Sequence, residues 1–490
     1  MDVTQILMLI TILVYLAAMV GIGAVLAKQN QTTDDFYLGG RTLGPLVTAM
    51  SAEASDMSSW LLMGLPGVAY LSGTADAAWA AIGLAIGTYV NWLVVAKRLR
   101  NYTHVCGNST TLPLFFSNRY RDNKRILSVI AALLIIIFFV PYTASGFAAC
   151  GKLFANLFGM DYLPAMLISA IVIVAYTTLG GFLAASTTDF VQSIVMTIAI
   201  VVVFGFGISK VGSFSAVMDN AKSMAGYFSL THTHDVATGT ASPYSLLQIF
   251  STLAWGLGYF GMPHVLLRFM AIGDANKLKL SRRVATVWVV ISMAVSVFIG
   301  VIGNAMTKAG VLPTLKDPET IILVVADLIS KHGVLATIIA GLILAGILAA
   351  TMSTADSQLL AASSSASQNI LKEVFMKDMS EKTGMLIARI TVLVIALIGV
   401  FIARNPDSSV FQIVSFAWAG FGASFGPLVL LALFWKRSTF QGALCGMVSG
   451  GVMVFVWKYL VRPNVSFLNF YELLPAFLVS CVAIVVVSLV

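Results

Sequence analysis

Apolar runs of about 20 residues, the length a helix needs to cross a bilayer, recur along the whole chain. Thirteen can be marked out, near 6–27, 45–71, 78–97, 126–150, 162–183, 189–210, 245–270, 281–306, 333–370, 385–404, 410–434, 439–461 and 470–490. The ninth is too long for a simple crossing and is expected to continue as a cytoplasmic helical extension. Spans 2 and 7 are interrupted. Span 2 carries the polar run SAEASDMSSW at its centre, and span 7 carries WGLGYFGMPH, where Gly and Pro break the apolar pattern. A broken helix frees backbone carbonyls and amides, and paired breaks five spans apart point to an inverted-repeat transporter with a midplane site. The expected fold is an all-α integral membrane protein with five-plus-five inverted repeats. Residues 1–490 form a single transmembrane domain on this reading, with repeats at 45–210 and 245–434, a peripheral helix at 6–27 and two C-terminal helices at 439–490.

Composition strengthens the membrane reading. The chain is 59% hydrophobic and only 10% charged, against roughly 25% charged in a soluble domain. A net charge of +8 could signal nucleic acid, but its distribution argues otherwise. With the N-terminus outside, nineteen of the 29 Lys and Arg fall on the cytoplasmic side, among them Arg41, Arg268 and Lys377. Nine fall outside and Arg389 lies within a helix end. That asymmetry is the positive-inside bias, so the expected partner is the lipid bilayer, with no nucleic acid and no evident obligate protein partner. The opening MDVTQ has no basic stretch, so no cleaved signal peptide is expected. The four cysteines lack metal or disulfide spacing and read as apolar fillers.

Several motif matches lack the setting their chemistry requires. Gly256, Gly258 and Gly261 spell GxGxxG without a strand before them. The run GFAACGKL has Leu153 where a phosphate loop needs Ser or Thr, and His232 and His234 fall in a polar loop. Gly442, Gly446 and Gly450 read as a close helix-packing stripe. No enzymatic or nucleotide motif survives.

The polar residues left inside the membrane carry the candidate chemistry. Asp56 is costly at bilayer depth unless it lines a cavity or an ion path. In span 9, Ala350, Ser353 and Thr354 fall at i, i+3 and i+4 and share one helix face. Two hydroxyls beside a carbonyl suit a hard monovalent cation, although such hydroxyls also bond back to their own helix.

At this point the chain resembles the sodium/solute symporter family, and within it the bacterial sodium/proline symporters. The resemblance rests on LGGRTLGP at 38–45, ASDMSSWLLMGLPG at 54–67, GGFLAASTTDFVQ at 180–192, WGLGYFGMPH at 255–264, MSTADSQLL at 352–360 and FAWAGFGASFGP at 416–427. It implies a leucine-transporter-like fold with thirteen spans in the bacterial plasma membrane, an extracellular N-terminus and a cytoplasmic C-terminus. It implies Na+ as coupling ion, held by carbonyls of Ala54, Met57 and Ala350 and hydroxyls of Ser353 and Thr354. Asp56 would serve the sodium ion or the substrate amine. L-proline would present its carboxylate to the amides around Ser58 and Ser59, within walls formed by Trp60, Tyr142, Trp255, Tyr259 and Pro263. Asp189, at the cytoplasmic start of span 6, would belong to the inner sodium path, and Arg41 to inner-face gating. The chain departs from the proline-transporter pattern at Ser59 (usually Gly), at Glu53 (usually a small residue), at Met262 (usually Gln) and at Thr143. Glu53 either faces water or carries a proton. A sodium symporter for another small solute remains open within the class. A channel or a membrane sensor is the reading from outside it.

Overall fold

The computed structural model describes residues 2–376, 379–405 and 410–490; Lys377, counted above among the cytoplasmic charges, lies outside them. The described chain is helical almost throughout, because a backbone in lipid must satisfy its own donors and acceptors. Its principal helices are α1 (Val3–Leu26), α2 (Pro45–Ser59), α3 (Leu65–Ser72), α4 (Thr74–Val90), α5 (Ile126–Phe158), α6 (Tyr162–Val211), α7 (Leu246–Leu253), α8 (Pro263–Ala271), α9 (Leu278–Lys308), α10 (Val334–Ser364), α11 (Glu381–Ala403), α12 (Val410–Phe434), α13 (Phe440–Val456) and α14 (Leu473–Leu489). Between α6 and α7 lies a small hairpin of β1 (His232–His234) and β2 (Ala241–Pro243).

Nine helices among the described residues are long and apolar enough to cross a membrane unaided. The other four expected crossings have separate explanations. Span 2 is divided into α2 and α3, and span 7 into α7 and α8. Span 13 is α14, only 17 residues long. Spans 5 and 6 are two helices that meet without a loop, at a kink inside the stretch labelled α6. The chain turns inside α6 at Gly181 (φ 59, ψ −156). A side chain there would be strained by its backbone conformation and would meet Phe36 at 2.8 Å.

The lipid-facing surface is legible on α1, α4, α9 and α11, where Leu13, Ile86, Val287 and Leu397 are exposed. The centre is α10. Every residue from Ile343 to Ser365 is buried, and the helix packs on α1, α2, α5 and α6. On the other side of α2, α4 packs against the irregular segment of span 7 at residues 254–260. Gly83, Gly87 and Gly256 meet there so closely that a Cβ on Gly256 would sit 2.1 Å from the Gly83 carbonyl oxygen. The Gly256–Gly261 motif is therefore a packing device. Gly442, Gly446 and Gly450 do the same on α13, all three against Ser480, Ile484 or Ser488 of α14. The run GFAACGKL lies inside α5.

Candidate functional site

The two breaks build the site. Ser58 takes φ 48 and ψ −171, a conformation L-residues rarely adopt, of a kind that costs about 1–3 kcal/mol. Its hydroxyl accepts a hydrogen bond from the Trp60 amide (3.1 Å), compensating in part for the interrupted ladder. Met57 also offers its carbonyl to that amide, and a wide turn from Trp60 to Gly64 leads into α3. In span 7, residues 254–260 tighten to a 3₁₀ helix and Pro263 opens α8. Proline suits that first position because it brings no amide proton to satisfy.

Four oxygens converge beside the first break. The Ser353 hydroxyl donates to the Ala54 carbonyl at 2.8 Å and lies 3.2 Å from the Ala350 carbonyl. The Thr354 hydroxyl donates to Ala350 at 3.1 Å. Ser353 thus reaches across from α10 to α2, which helix back-bonding alone does not require. Sharing the Ala350 carbonyl concentrates oxygens in a buried place where, among the described residues, no basic side chain stands at hydrogen-bond distance.

A second constellation flanks it. Asp56, Met57, Leu84, Trp60, Tyr142, Trp255, Met293, Val414 and Trp418 enclose a cavity of about 10 Å³, space for about one water. A solute must therefore displace side chains to enter. Asp56 accepts the Tyr259 hydroxyl at 2.5 Å through Oδ2, and its Oδ1 has no partner. Trp60 and Trp255 stack at 5.5 Å, Trp255 stacks on Tyr471 at 4.9 Å, and Trp418 donates its indole N–H to the Trp255 carbonyl (2.7 Å). Beyond this aromatic layer opens a vestibule of about 700 Å³, bordered by Trp255, Phe411, Tyr471, Asp76, Lys458 and Glu472 among others.

Toward the opposite face a buried polar network replaces the cavity. The Arg268 guanidinium, 1% exposed, pairs with Asp189 at 3.0 Å. It also donates to Ser51 (3.0 Å), Ser357 (2.5 Å) and the His264 carbonyl (3.0 Å). Ser51 donates to Asp189 at 2.6 Å, while Tyr176 (2.8 Å) and Ser357 (3.0 Å) donate to Asp356. Arg41 closes that face by donating to the carbonyls of Met270 (2.7 Å) and Ser109 (2.8 Å), to Asn108 and to Thr103. Burial, with Arg100 nearby, lowers the Arg41 pKa to about 10, so the guanidinium stays charged at neutral pH.

A profile of the sodium:solute symporter family matches residues 36–450. The chain belongs to that family. It is a family of transporters, and the multi-span fold is that of a multi-pass membrane protein. Curated relatives of this symporter include the sodium/proline symporter of Haemophilus influenzae, 42% identical over 98% of this chain and 94% of the relative. The osmoregulated proline transporter of Bacillus subtilis is 40% identical over 98% and 94%, and the sodium/proline symporter of Escherichia coli is 40% identical over 98% and 93%. Among solved structures, a Na+-coupled sialic acid symporter superposes with a TM-score of 0.82 at 20% identity, covering 98% of this chain and 97% of that one. The nucleobase-cation symporter Mhp1 gives 0.54 at 14% identity, covering 92% and 94%. The symporter has the five-plus-five inverted-repeat fold with broken helices.

Against that geometry the sequence-predicted residues divide. Ala54, Ala350, Ser353 and Thr354 of this symporter come together, with the Met57 carbonyl turned to the Trp60 amide. Asp56, Trp60, Tyr142 and Trp255 line the cavity. Tyr259 stands behind Asp56 as its hydrogen-bond donor, Ser58 and Ser59 form the break, and Pro263 starts α8, none of these four among the cavity residues. Asp189 is not at an interface. It is fully buried past the Gly181 kink in α6, where Arg268 supplies the counter-charge. Arg268 in turn is not a loop charge of the positive-inside surface, since α8 carries it into the interior. Leu84, Met293, Val414 and Trp418 were missed. Trp418 was within reach, being in the quoted FAWAGFGASFGP motif, whereas the other three carry no polar signal.

Proposed function

We propose that this symporter couples the inward flow of Na+ to uptake of L-proline by alternating access between the two faces of the site. The observation that carries the reading is the meeting of the Ala54, Ala350, Ser353 and Thr354 oxygens beside a small aromatic cavity holding Asp56. Sodium is cargo here, and hard oxygens without a basic neighbour fit it. With the side chains around this small cavity moved apart, a compact apolar ring would lie between Trp60, Tyr142 and Trp255, its ammonium group at the Asp56 Oδ1 that has no partner among the described residues. The amides freed at the Ser58–Ser59 break, where the positive end of a half-helix begins, would take the carboxylate. The full-length identity to proline transporters supports the same solute. Arg41 and the Arg268–Asp189 pair would bar the inner path until sodium and solute are bound.

The driving force is adequate. A potential of about 100 mV contributes roughly 2.3 kcal/mol per charge, and a tenfold sodium gradient about 1.4 kcal/mol. One sodium ion per zwitterionic proline then supports accumulation on the order of several hundredfold. The asymmetry of Lys and Arg supports an extracellular N-terminus and a cytoplasmic C-terminus in the bacterial plasma membrane, with the aromatic layer and its vestibule outward. Ser59 and Glu53, which depart from the proline-transporter pattern, favour as second reading a sodium symporter for another small amino acid or carboxylate. Uptake of a panel of labelled solutes into proteoliposomes, with and without an imposed sodium gradient, tests both. Sodium-stimulated uptake of proline above all others is expected. Failure of proline to compete with whichever solute is carried would overturn the substrate assignment.

A further inference from the structure

The end of α12 gathers more positive charge than the fold uses. A helix leaves its last four carbonyls without intrahelical donors. Here the Trp435 amide serves Leu431 (2.9 Å), Arg119 donates through Nε to Ala432 (2.9 Å), and Arg98 donates through Nη1 to Leu433 (3.4 Å). The Arg98 guanidinium also lies over the Phe434 ring, 4.3 Å from its centre. Arg98 belongs to the short helix Lys97–Val105, whose Thr103 accepts from Arg41, and Arg119 ends the helix Leu112–Arg119. Two further segments thus converge on one helix end. Lys436 and Arg437 follow directly in the chain, both exposed. Among the described residues neither has a hydrogen-bond partner, and none of the four cations pairs with a carboxylate. Asp122, three residues beyond Arg119, is buried and accepts from the Ser117 hydroxyl and the Leu127 amide.

The helix dipole places only about half a negative charge at that end, against four cations. Capping the carbonyls employs the two arginines and leaves Lys436 and Arg437 without a structural use. Their surroundings are those of a bilayer boundary. Phe434 is 44% exposed, and Tyr102, on the helix that carries Arg98, is 39% exposed. Amphipathic aromatic rings such as Tyr favour headgroup depth. Apolar surface beside uncompensated cations suits a molecule that carries both an acyl chain and a phosphate, and guanidinium forks match phosphate oxygens. A free phosphate would leave the apolar part unmet. We propose that Arg98, Arg119, Lys436 and Arg437 bind the headgroup of an anionic phospholipid in the leaflet on the Arg41 side, its acyl chains lying along Phe434. A headgroup bound there joins three segments at the end of α12, so it stabilises the fold as well as marking its boundary. The site is separate from the sodium cluster and the cavity, and it stands whichever solute is carried.

The test places the purified full-length protein in neutral detergent with phosphatidylglycerol or phosphatidylcholine at equal mole fraction and counts retained lipids by native mass spectrometry. Phosphatidylglycerol should be retained several-fold over phosphatidylcholine, and it alone should raise the melting temperature. K436Q/R437Q removes two charges that have no partner in the fold, so this variant should melt as the wild type does without lipid. It should nevertheless need about tenfold more phosphatidylglycerol for the same retention. K28Q/K382Q, which removes two exposed charges on other segments, should bind as the wild type does. Equal retention of the two lipids by the wild type overturns the proposal whether or not any variant folds. Undiminished binding by K436Q/R437Q overturns it too, and so does an equal loss in K28Q/K382Q, the mark of a general attraction to positive charge. Stabilisation matched by inorganic phosphate alone would overturn the lipid assignment, since a free anion would then suffice.

Discussion

Asp56 accepts one hydrogen bond, from Tyr259, and keeps one oxygen free at the wall of a cavity. Asp56→Asn removes the charge and keeps the size, so sodium-driven uptake should be nearly abolished while membrane insertion is unchanged, as transport and immunoblot of the same vesicles would report. Tyr259→Phe separates the aromatic ring from its hydroxyl. If Tyr259 acts through Asp56, this variant should weaken uptake nearly as much as Tyr259→Ala does. Ser353→Ala and Thr354→Ala each withdraw one oxygen from the cluster. The loss of one such contact, about 1 kcal/mol, predicts a rise of roughly fivefold in the sodium concentration for half-maximal uptake. Affinity for proline at saturating sodium should change much less, and equal weakening of both would mark a packing role. Trp255 both stacks on Trp60 and borders the cavity. Trp255→Ala should weaken proline by roughly 1–3 kcal/mol, about ten- to a hundredfold, in competition assays.

At the scale of elements, the broken segments are held by backbone contact as much as by side chains. Residues 254–260 lie against α4 through Gly83, Gly87 and Gly256, which brings Tyr259 to Asp56 and Asn91. Gly256→Ala would drive a methyl group into the Gly83 carbonyl. Overpacking of this kind costs about 1–3 kcal/mol. The expected result is a lower melting temperature of the purified protein together with loss of uptake, whereas Gly205→Ala, with open space around it, should leave both unchanged. The Arg268–Asp189 pair ties α8 to α6. Removing one partner of a buried pair leaves the other charge uncompensated, typically at a cost of 3–5 kcal/mol. Asp189→Ala should therefore destabilise the protein in the same melting assay far more than loss of an exposed charge such as Asp327.

Across the whole molecule the two faces are closed differently. The vestibule side is separated from the cavity by stacked aromatic rings, which can slide. The other side is closed by polar locks at two depths, Arg268 with Asp189 and Arg41 with four acceptors. Arg41→Ala removes the outermost lock, so the population open to that face should rise. The measurement is thiol labelling of Ser365→Cys, at a buried position near the end of α10, with the four native cysteines replaced. Labelling from that side should be several times faster when Arg41 is also absent, and an unchanged rate would remove Arg41 from the gate.

Read alone, the chain determined its membrane class, the crossings, both interrupted spans and most of the residues that meet at the cluster and the cavity. These are written locally, in runs of apolar residues about 20 long and in polar residues placed where lipid makes them costly. Only the tertiary structure decided that spans 5 and 6 join directly at a kink at Gly181 with no loop between them, because hydropathy does not mark where a helical stretch changes direction. Only it decided that Arg268 and Asp189 are partners, since a single Arg near an expected loop carries no sign of a carboxylate 79 positions earlier in sequence. The same holds for Glu53. Its presence in the membrane was plain, but its hydrogen bond from the Trp92 indole depends on how α2 and the end of α4 pack together.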